Sequence, residues 1–282
     1  CCGYEALLRN YESTGCDSPE DFYKKADLQD RVKIIQAFTS RIAVKKFKRI
    51  HQFEQFKFFI NICRSYLEQV PYISGILENM AQNLEIPLSS LCVEVSERTG
   101  SANSTALQSA LSELHQKGFQ IVLDDFATGF SGLPILYRIE PEFVKLDRFF
   151  IKDLKSNPKK RIFVTNIINI AHSLSALVIA EGIETKEELY ACKELGCDLA
   201  QGYFIQEPLT DVYKLKKTYI QVKEAVNEDK RDYSPDKKLI AEQLLQIPSI
   251  SINTDILSVL EHFRMYKNYH FFPVVNPNSE PM

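Results

Sequence analysis

Asp124 and Asp125 stand side by side after the short apolar run Phe119-Gln120-Ile121-Val122-Leu123 and open the segment Phe126-Ala127-Thr128-Gly129. Two adjacent carboxylates at a strand end repel each other and cannot both stay ionised cheaply, so a cation is expected between them. A divalent metal is the simplest candidate. Acids recur at comparable places: Glu94 near the end of 91–95, Asp147 after Lys145 at the end of 143–146, and Glu181 after 177–180. One such acid would read as an ordinary surface charge. Their repetition at successive strand ends is the signal.

The elements that must position these acids follow from hydrophobic periodicity. From about residue 90, short β-rich runs (91–95, 120–123, 143–146, 177–180) alternate with helical stretches (104–117, 131–138, 160–174, 186–195), the pattern of a parallel sheet with crossover helices. Gly118 and Gly196 sit where helix C-caps belong. In an α/β chain that closes into a TIM-like (βα) barrel, the carboxyl ends of all strands converge on one face, so residues far apart in sequence meet there. Alternation places Lys145 and Asp147 on one side of their strand and Val144 and Leu146 on the other, toward the helices. Asp124 and Asp125 would face opposite ways in a regular strand, so the backbone must bend if both are to reach one cluster. Glu97, three beyond Glu94, is expected in the following loop.

The first third of the chain carries Glu5 ahead of Ala6-Leu7-Leu8-Arg9, helical stretches at 19–25 and 27–48, and a β-rich run at 56–62 with Asn61 near its end. After Leu209 the alternation stops. Residues 211–231 read as a charged linker helix, which Tyr233-Ser234-Pro235 breaks. Three segments are therefore expected: 1–210, 211–234 and 235–282.

Composition narrows the function classes. With 282 residues, 45% hydrophobic and 25% charged, the chain suits a soluble globular protein of one large domain plus part of another. A net charge of −3 with Lys and Glu intermixed gives no basic stripe of the kind duplex nucleic acid demands. No apolar run approaches the roughly 20 residues that span a bilayer, and no charged-then-apolar leader opens the chain, so a cytoplasmic location is expected. The seven cysteines form no CxxC pair and the five histidines show no metal-ligand spacing. Neither a disulfide framework, nor a zinc site, nor histidine chemistry is indicated.

Taken together and in order, the motifs resemble the EAL domain, the bacterial cyclic di-GMP phosphodiesterase module. The resemblance covers residues 3–210 and rests on Glu5-Ala6-Leu7-Leu8-Arg9, Ile60-Asn61-Ile62, Val93-Glu94-Val95-Ser96-Glu97, Asp124-Asp125-Phe126-Ala127-Thr128-Gly129, Val144-Lys145-Leu146-Asp147-Arg148, Ala180-Glu181-Gly182-Ile183-Glu184-Thr185 and Gln201-Gly202-Tyr203. It implies an EAL-type barrel that hydrolyses cyclic di-GMP to linear pGpG with two Mg²⁺ or Mn²⁺ ions. Glu5, Asn61, Glu94 and Asp124 would hold one ion, and Asp124, Asp125 and Glu181 the other. Lys145 would orient or stabilise the nucleophile, Gln201 would position the water or its ligands, and Arg9 with Leu7 would bind substrate. Glu97, Asp147 and Glu184 would have supporting roles. A metal lowers the pKa of bound water enough to supply hydroxide near neutral pH, which matches the absence of a histidine pattern.

Simpler roles compete for some of these residues. Asp147 could pair with Lys145 or Arg148, Glu184 could cap the helix beginning near Thr185, Glu97 could be a solvated loop acid, and Tyr203 and Phe204 read as packing residues. Departures from the family pattern are Ala127 for Gly, Ser96 for Thr, and Ile62-Cys63 for Leu-Ser. Ala127 lies in a loop that in this family couples the site to a dimer interface, and the family's first helix and strand, expected before Glu5, are absent from the sequence as given. The tail, with Ile247 to Ile252, Asp255 to Leu260 and His270-Phe271-Phe272-Pro273-Val274-Val275, is similar to the start of a CBS motif. In a complete pair, that module binds adenine nucleotides. Rival readings are an EAL-type receptor that binds cyclic di-GMP without turnover, and an unrelated Mg²⁺ barrel of the enolase type. The latter leaves Arg9, Lys145 and Gln201 unexplained. A homodimer is expected from the resemblance.

Overall fold

The β-rich runs form seven parallel strands in a computed structural model that describes residues 1–69, 73–96, 104–128, 132–216, 218–227, 248–266 and 271–276. They are β1 (Gly3–Ala6), β2 (Lys57–Asn61), β3 (Leu91–Ser96), β4 (Gln120–Phe126), β5 (Phe143–Leu146), β6 (Leu177–Ala180) and β7 (Leu199–Ala200), hydrogen-bonded in sequence order. Neighbouring strands lie about 4.8 Å apart, so a flat sheet of this size would separate β1 from β7 by roughly 29 Å. Instead Gln201, directly after β7, donates its side-chain amide to Glu5 on β1 at 2.6 Å. The sheet therefore curls into the wall of a TIM-like (βα) barrel. Glu5 lies inside β1, so the acid expected after a first strand is part of the first strand observed here.

Helices fill the connections: α1 (Pro19–Leu28), α2 (Val32–Phe47), α3 (Arg64–Gln69), α4 (Ile73–Asn83), α5 (Thr105–Gln116), α6 (Gly132–Ile139), α7 (Arg148–Ile151), α8 (Pro158–Ser173) and α9 (Lys186–Leu195). Their ends follow capping chemistry. Ser104 accepts from the Leu107 N–H at 3.2 Å to start α5, and Thr185 and Glu188 form a reciprocal capping box on α9. Gly196 closes α9 in the left-handed region at φ 97°. The break between α1 and α2 falls at 29–31, not at 26 as expected. Ala26 is buried within α1, and Asp30 takes the left-handed conformation (φ 55°) that ends the run.

Two apolar layers result from strand alternation. Val93, Val95, Ile121, Leu123, Val144, Leu146, Val178 and Ala180 belong to the large core shared with the helices. Phe59, Cys92, Val122, Phe143 and Ile179, with Leu199 against them, form a separate plug. These plug residues share the opposite side chain parity, which places them inside the barrel. Gly3 completes this layer by lacking a side chain, since a Cβ there would lie 2.8 Å from the Phe59 ring.

The linker reading is corrected. Residues 212–214 make a short 3₁₀ turn, Leu215 is extended, and a separate helix α10 (Ile220–Asn227) follows. Gln221 on α10 donates to the carbonyls of Phe204 and Ile205, and Ala225 is buried, so α10 belongs to the first compact unit, residues 1–227. Residues 228–231 lie outside the described residues. The second unit, 228–282, contains β8 (Ile250–Ser251), α11 (Ile256–Met265) and β9 (Val274–Val275), with β8 and β9 parallel. Among the described residues, no helix is long and apolar enough to cross a membrane.

One close approach yields a direct prediction. A Cβ on Gly202 would sit 2.1 Å from the Ile183 carbonyl oxygen and 2.2 Å from its nitrogen, backbone atoms that cannot yield. Gly202→Ala is expected to cost about 3 kcal/mol, read as a lowered urea midpoint.

Candidate active site

The candidate site is the polar layer directly above the barrel plug. Two residues beyond Gly3, Phe59, Cys92, Val122, Phe143, Ile179 and Leu199 stand Glu5, Asn61, Glu94, Asp124, Lys145, Glu181 and Gln201. A period of two returns a side chain to the same face, so each of the seven strands delivers one polar group to a single level at its carboxyl end.

Lys145 is at the centre. Its ammonium lies 2.7 Å from Glu181, 2.8 Å from Glu94, 3.2 Å from Glu5 and 3.7 Å from Asp124, and its side chain is 1% exposed. Gln201 and Asn61 donate to the two oxygens of Glu5 at 2.6 and 2.7 Å. Neither oxygen of Glu94 has a well-directed hydrogen-bond partner, although both are sealed from solvent.

The electrostatics follow from this crowding. Burial, with Glu5 and Asp124 adding to it, holds the Glu94 carboxyl well above the usual carboxylate range despite Lys145. Glu181 is pushed up to about 8, first by burial, against the pull of Lys145. Burial also raises the Glu5 carboxyl, but Lys145 and the Gln201 and Asn61 amides outweigh it and leave the group below its ordinary value. Burial alone would lower the Lys145 ammonium; the four carboxylates reverse this and hold it well above the usual lysine range.

The donor chemistry fits a divalent cation. Four carboxylates and one carboxamide converge on a single ammonium, a buried set rich in hard oxygen and short of positive charge. Among the described residues no three acids are spaced to grip an ion as they stand. The Lys145 ammonium occupies the position their charges surround, so it stands in for a cation.

The aspartate pair bends as the alternation demands. Register shifts between Leu123 and Phe126, a bulge, and Asp125 takes φ 55°. Asp125 N–H donates to Asp124 at 2.8 Å, and Ser96 on β3 donates to Asp125 at 3.0 Å. Ala127 follows at φ 66°. A left-handed alanine costs about 1 kcal/mol, so Ala127→Gly is expected to raise stability by up to about that amount, measured by thermal denaturation.

Other expected residues make contacts outside the Lys145 cluster. β5 ends at Leu146, and the Asp147 carboxylate accepts from the Phe149 N–H at 2.7 Å, capping α7. Glu184 is not the cap of α9, a role taken by Thr185 with Glu188; it pairs with Arg148 at 2.6 Å. Arg148 also donates to the Gly182 carbonyl, tying together the loops after β5 and β6. Arg9 is exposed in the loop after β1 and donates to the Leu8 carbonyl at 2.8 Å. Leu7, 42% exposed, borders with Glu5, Glu184 and Gln201 a cavity of about 1230 Å³. Glu97 lies outside the described residues.

Gln36 is a residue that sequence reasoning missed. Buried on α2, it accepts from the Cys63 N–H and donates to the Asn61 carbonyl, both at 3.0 Å, which pins the end of β2 under the Asn61 side chain. A glutamine among the buried positions Val32, Ser40 and Val44 was the available signal.

The chain is similar to known proteins. The chain is 29% identical over 211 residues to the cyclic di-GMP phosphodiesterase PA2567 of Pseudomonas aeruginosa, covering 74% of this chain and 36% of the relative. The chain thus spans about a third of the length of curated relatives it matches. The structure of the EAL enzyme Bd1971 in its cAMP- and cyclic di-GMP-bound form superposes with a TM-score of 0.68 at 30% identity, over 75% of this chain and 58% of that one. The manganese and cyclic di-GMP complex of Klebsiella pneumoniae BlrP1 gives 0.64 at 25% identity, over 72% and 50%. The EAL domain model itself matches residues 1–208. With most of its length matched and the strand-end acids assembled in one layer, the chain belongs to the EAL domain family.

Proposed function

We propose that this chain is a metal-dependent phosphodiesterase that hydrolyses cyclic di-GMP to linear pGpG. The observation that carries this reading is the single layer in which Glu5, Glu94, Asp124 and Glu181 surround Lys145. Names of relatives and of structural neighbours support the substrate and a divalent cofactor. Glu5, Asn61, Glu94 and Asp124 would hold one Mg²⁺ or Mn²⁺, and Asp124, Asp125 and Glu181 a second. Bound there, a divalent cation supplies Lewis-acid stabilisation of phosphate charge and a more acidic water.

The chain's own residues divide the remaining work. Lys145 would orient or stabilise the nucleophile from the centre of the layer, and its ammonium offers positive charge to a phosphate whose negative charge grows in the transition state. Gln201 and Asn61 fix the orientation of Glu5, and Ser96 fixes Asp125. Arg9 grips a phosphate from the loop after β1 and Leu7 packs beside the substrate, while Asp147 and Glu184 brace the loops after β5 and β6. Glu97 is assigned to the same supporting group. The wider assembly we propose is a cytoplasmic homodimer whose tail opens a CBS-like motif, which would bind an adenine nucleotide only as part of a complete pair in the full-length protein.

Ala127 favours a second reading. A non-glycine residue at φ 66° in the loop after the aspartate pair could hold the domain in a state that binds cyclic di-GMP without cleaving it. Incubating the chain with cyclic di-GMP and Mn²⁺ and resolving pGpG by chromatography separates the two. Product supports the phosphodiesterase, tight binding without product the receptor, and absence of both removes cyclic di-GMP as the ligand.

A further inference from the structure

Helix α2 has a second face that the barrel does not use. Its buried side, Val32, Gln36, Ser40, Val44 and Phe47, packs on the domain. On the opposite side Ile34, Phe38 and Ile42 recur every four residues at 74%, 65% and 41% exposure. Such a stripe of large apolar side chains in water is not explained by folding.

Charge around the stripe is one-sided. Residues 31–53 contain no acid and seven cations, within a chain of net charge −3. Arg31, Lys33, Arg41, Lys45 and Arg49 make no ion pair among the described residues, whereas Lys46 donates to the Thr210 carbonyl and Lys48 pairs with Glu85. The placement opposes helix stability at one end. Arg31 is the N-cap with no side-chain capping bond, and no acid lies in the first turn, where the helix dipole disfavours cations. Asp27 and Asp30 border the patch before α2 begins.

We infer that the outer face of α2 docks on an anionic lipid bilayer, with Ile34, Phe38 and Ile42 entering the headgroup boundary and the flanking cations meeting lipid phosphates. An apolar stripe bordered by Lys and Arg is the pattern of a helix lying in a membrane interface. A second copy of the chain is a poorer occupant, because it would set like charges against each other. A nucleic acid would satisfy the cations but leave the Ile and Phe stripe against a polar backbone. The inference is independent of catalysis, since none of these side chains belongs to the strand-end layer.

The test uses the full chain, sedimented with vesicles of phosphatidylcholine mixed with phosphatidylglycerol and with vesicles of phosphatidylcholine alone. Binding is expected only to the anionic vesicles and should weaken as salt is raised. The double variant Arg41→Glu, Lys45→Glu should lose about tenfold or more in apparent affinity, and Phe38→Asp should lose a comparable amount. All three positions face solvent, so both variants should melt as the unaltered chain does. No binding to the anionic vesicles, equal binding to phosphatidylcholine alone, or undiminished binding by both variants would overturn the inference. So would association with duplex DNA that Phe38→Asp leaves intact while the vesicles remain unbound.

Discussion

Asp124→Asn is expected to lower turnover of cyclic di-GMP by about a thousandfold or more. The substitution keeps the shape of the side chain and removes one negative charge from the layer around Lys145, where Asp124 would be the ligand shared by both proposed cations. Loss of transition-state charge stabilisation of about 4 kcal/mol corresponds to that factor. Stability should move the other way in the metal-free chain. Asp124 is one of four acids crowded about a single ammonium, and removing one like charge relieves repulsion toward Glu94 and Glu181. The expected pair of results is therefore absent product formation with a melting temperature equal to or above that of the unaltered chain without metal. Turnover within tenfold of normal would remove Asp124 from the chemistry.

Lys145→Met is expected to cost about 3–5 kcal/mol of stability in the metal-free chain, measured by urea denaturation in the presence of a chelator. The variant preserves the aliphatic packing of a side chain 1% exposed but leaves Glu5, Glu94, Asp124 and Glu181 without their central cation. Adding Mn²⁺ should then restore more stability to the variant than it adds to the unaltered chain, because a divalent ion replaces the missing charge. Turnover should still fall, since the fixed positive charge is lost. A variant as stable as the original without metal, or indifferent to Mn²⁺, would mean that the four carboxylates do not depend on a cation.

The strand-end acids were legible because two signals coincide on them: apolar runs of strand length, and an acid at the carboxyl end of each. The same period of two that placed Lys145 inward explains why the plug residues lie one step below the site. The need for a bend at Asp124 and Asp125 was likewise readable, and the left-handed Asp125 supplies it. The cap that Asp147 makes was not read, because the strand ends at Leu146 and a helix begins at once. Beyond Leu146 the free N–H groups of α7 compete for its carboxylate and win. For Glu184 the competing role of helix cap is filled by Thr185 and Glu188, and its pairing with Arg148 depends on two loops meeting in space, which no local pattern reports. Gln36 escaped notice for the same reason: its partners, Asn61 and Cys63, are about 25 residues away and only the fold brings them together. The linker was read as one helix from its charge alone, although α10 is anchored by backbone carbonyls at Phe204 and Ile205.

Whether the strand-end layer is a divalent-cation site is decided most directly by titrating the chain with Mn²⁺ and following the free ion by electron paramagnetic resonance. Saturable binding is predicted, sharply weakened in Asp124→Asn. Unbound manganese throughout the titration, or equal binding by the variant, would contradict the placement of metal among Glu5, Asn61, Glu94, Asp124, Asp125 and Glu181.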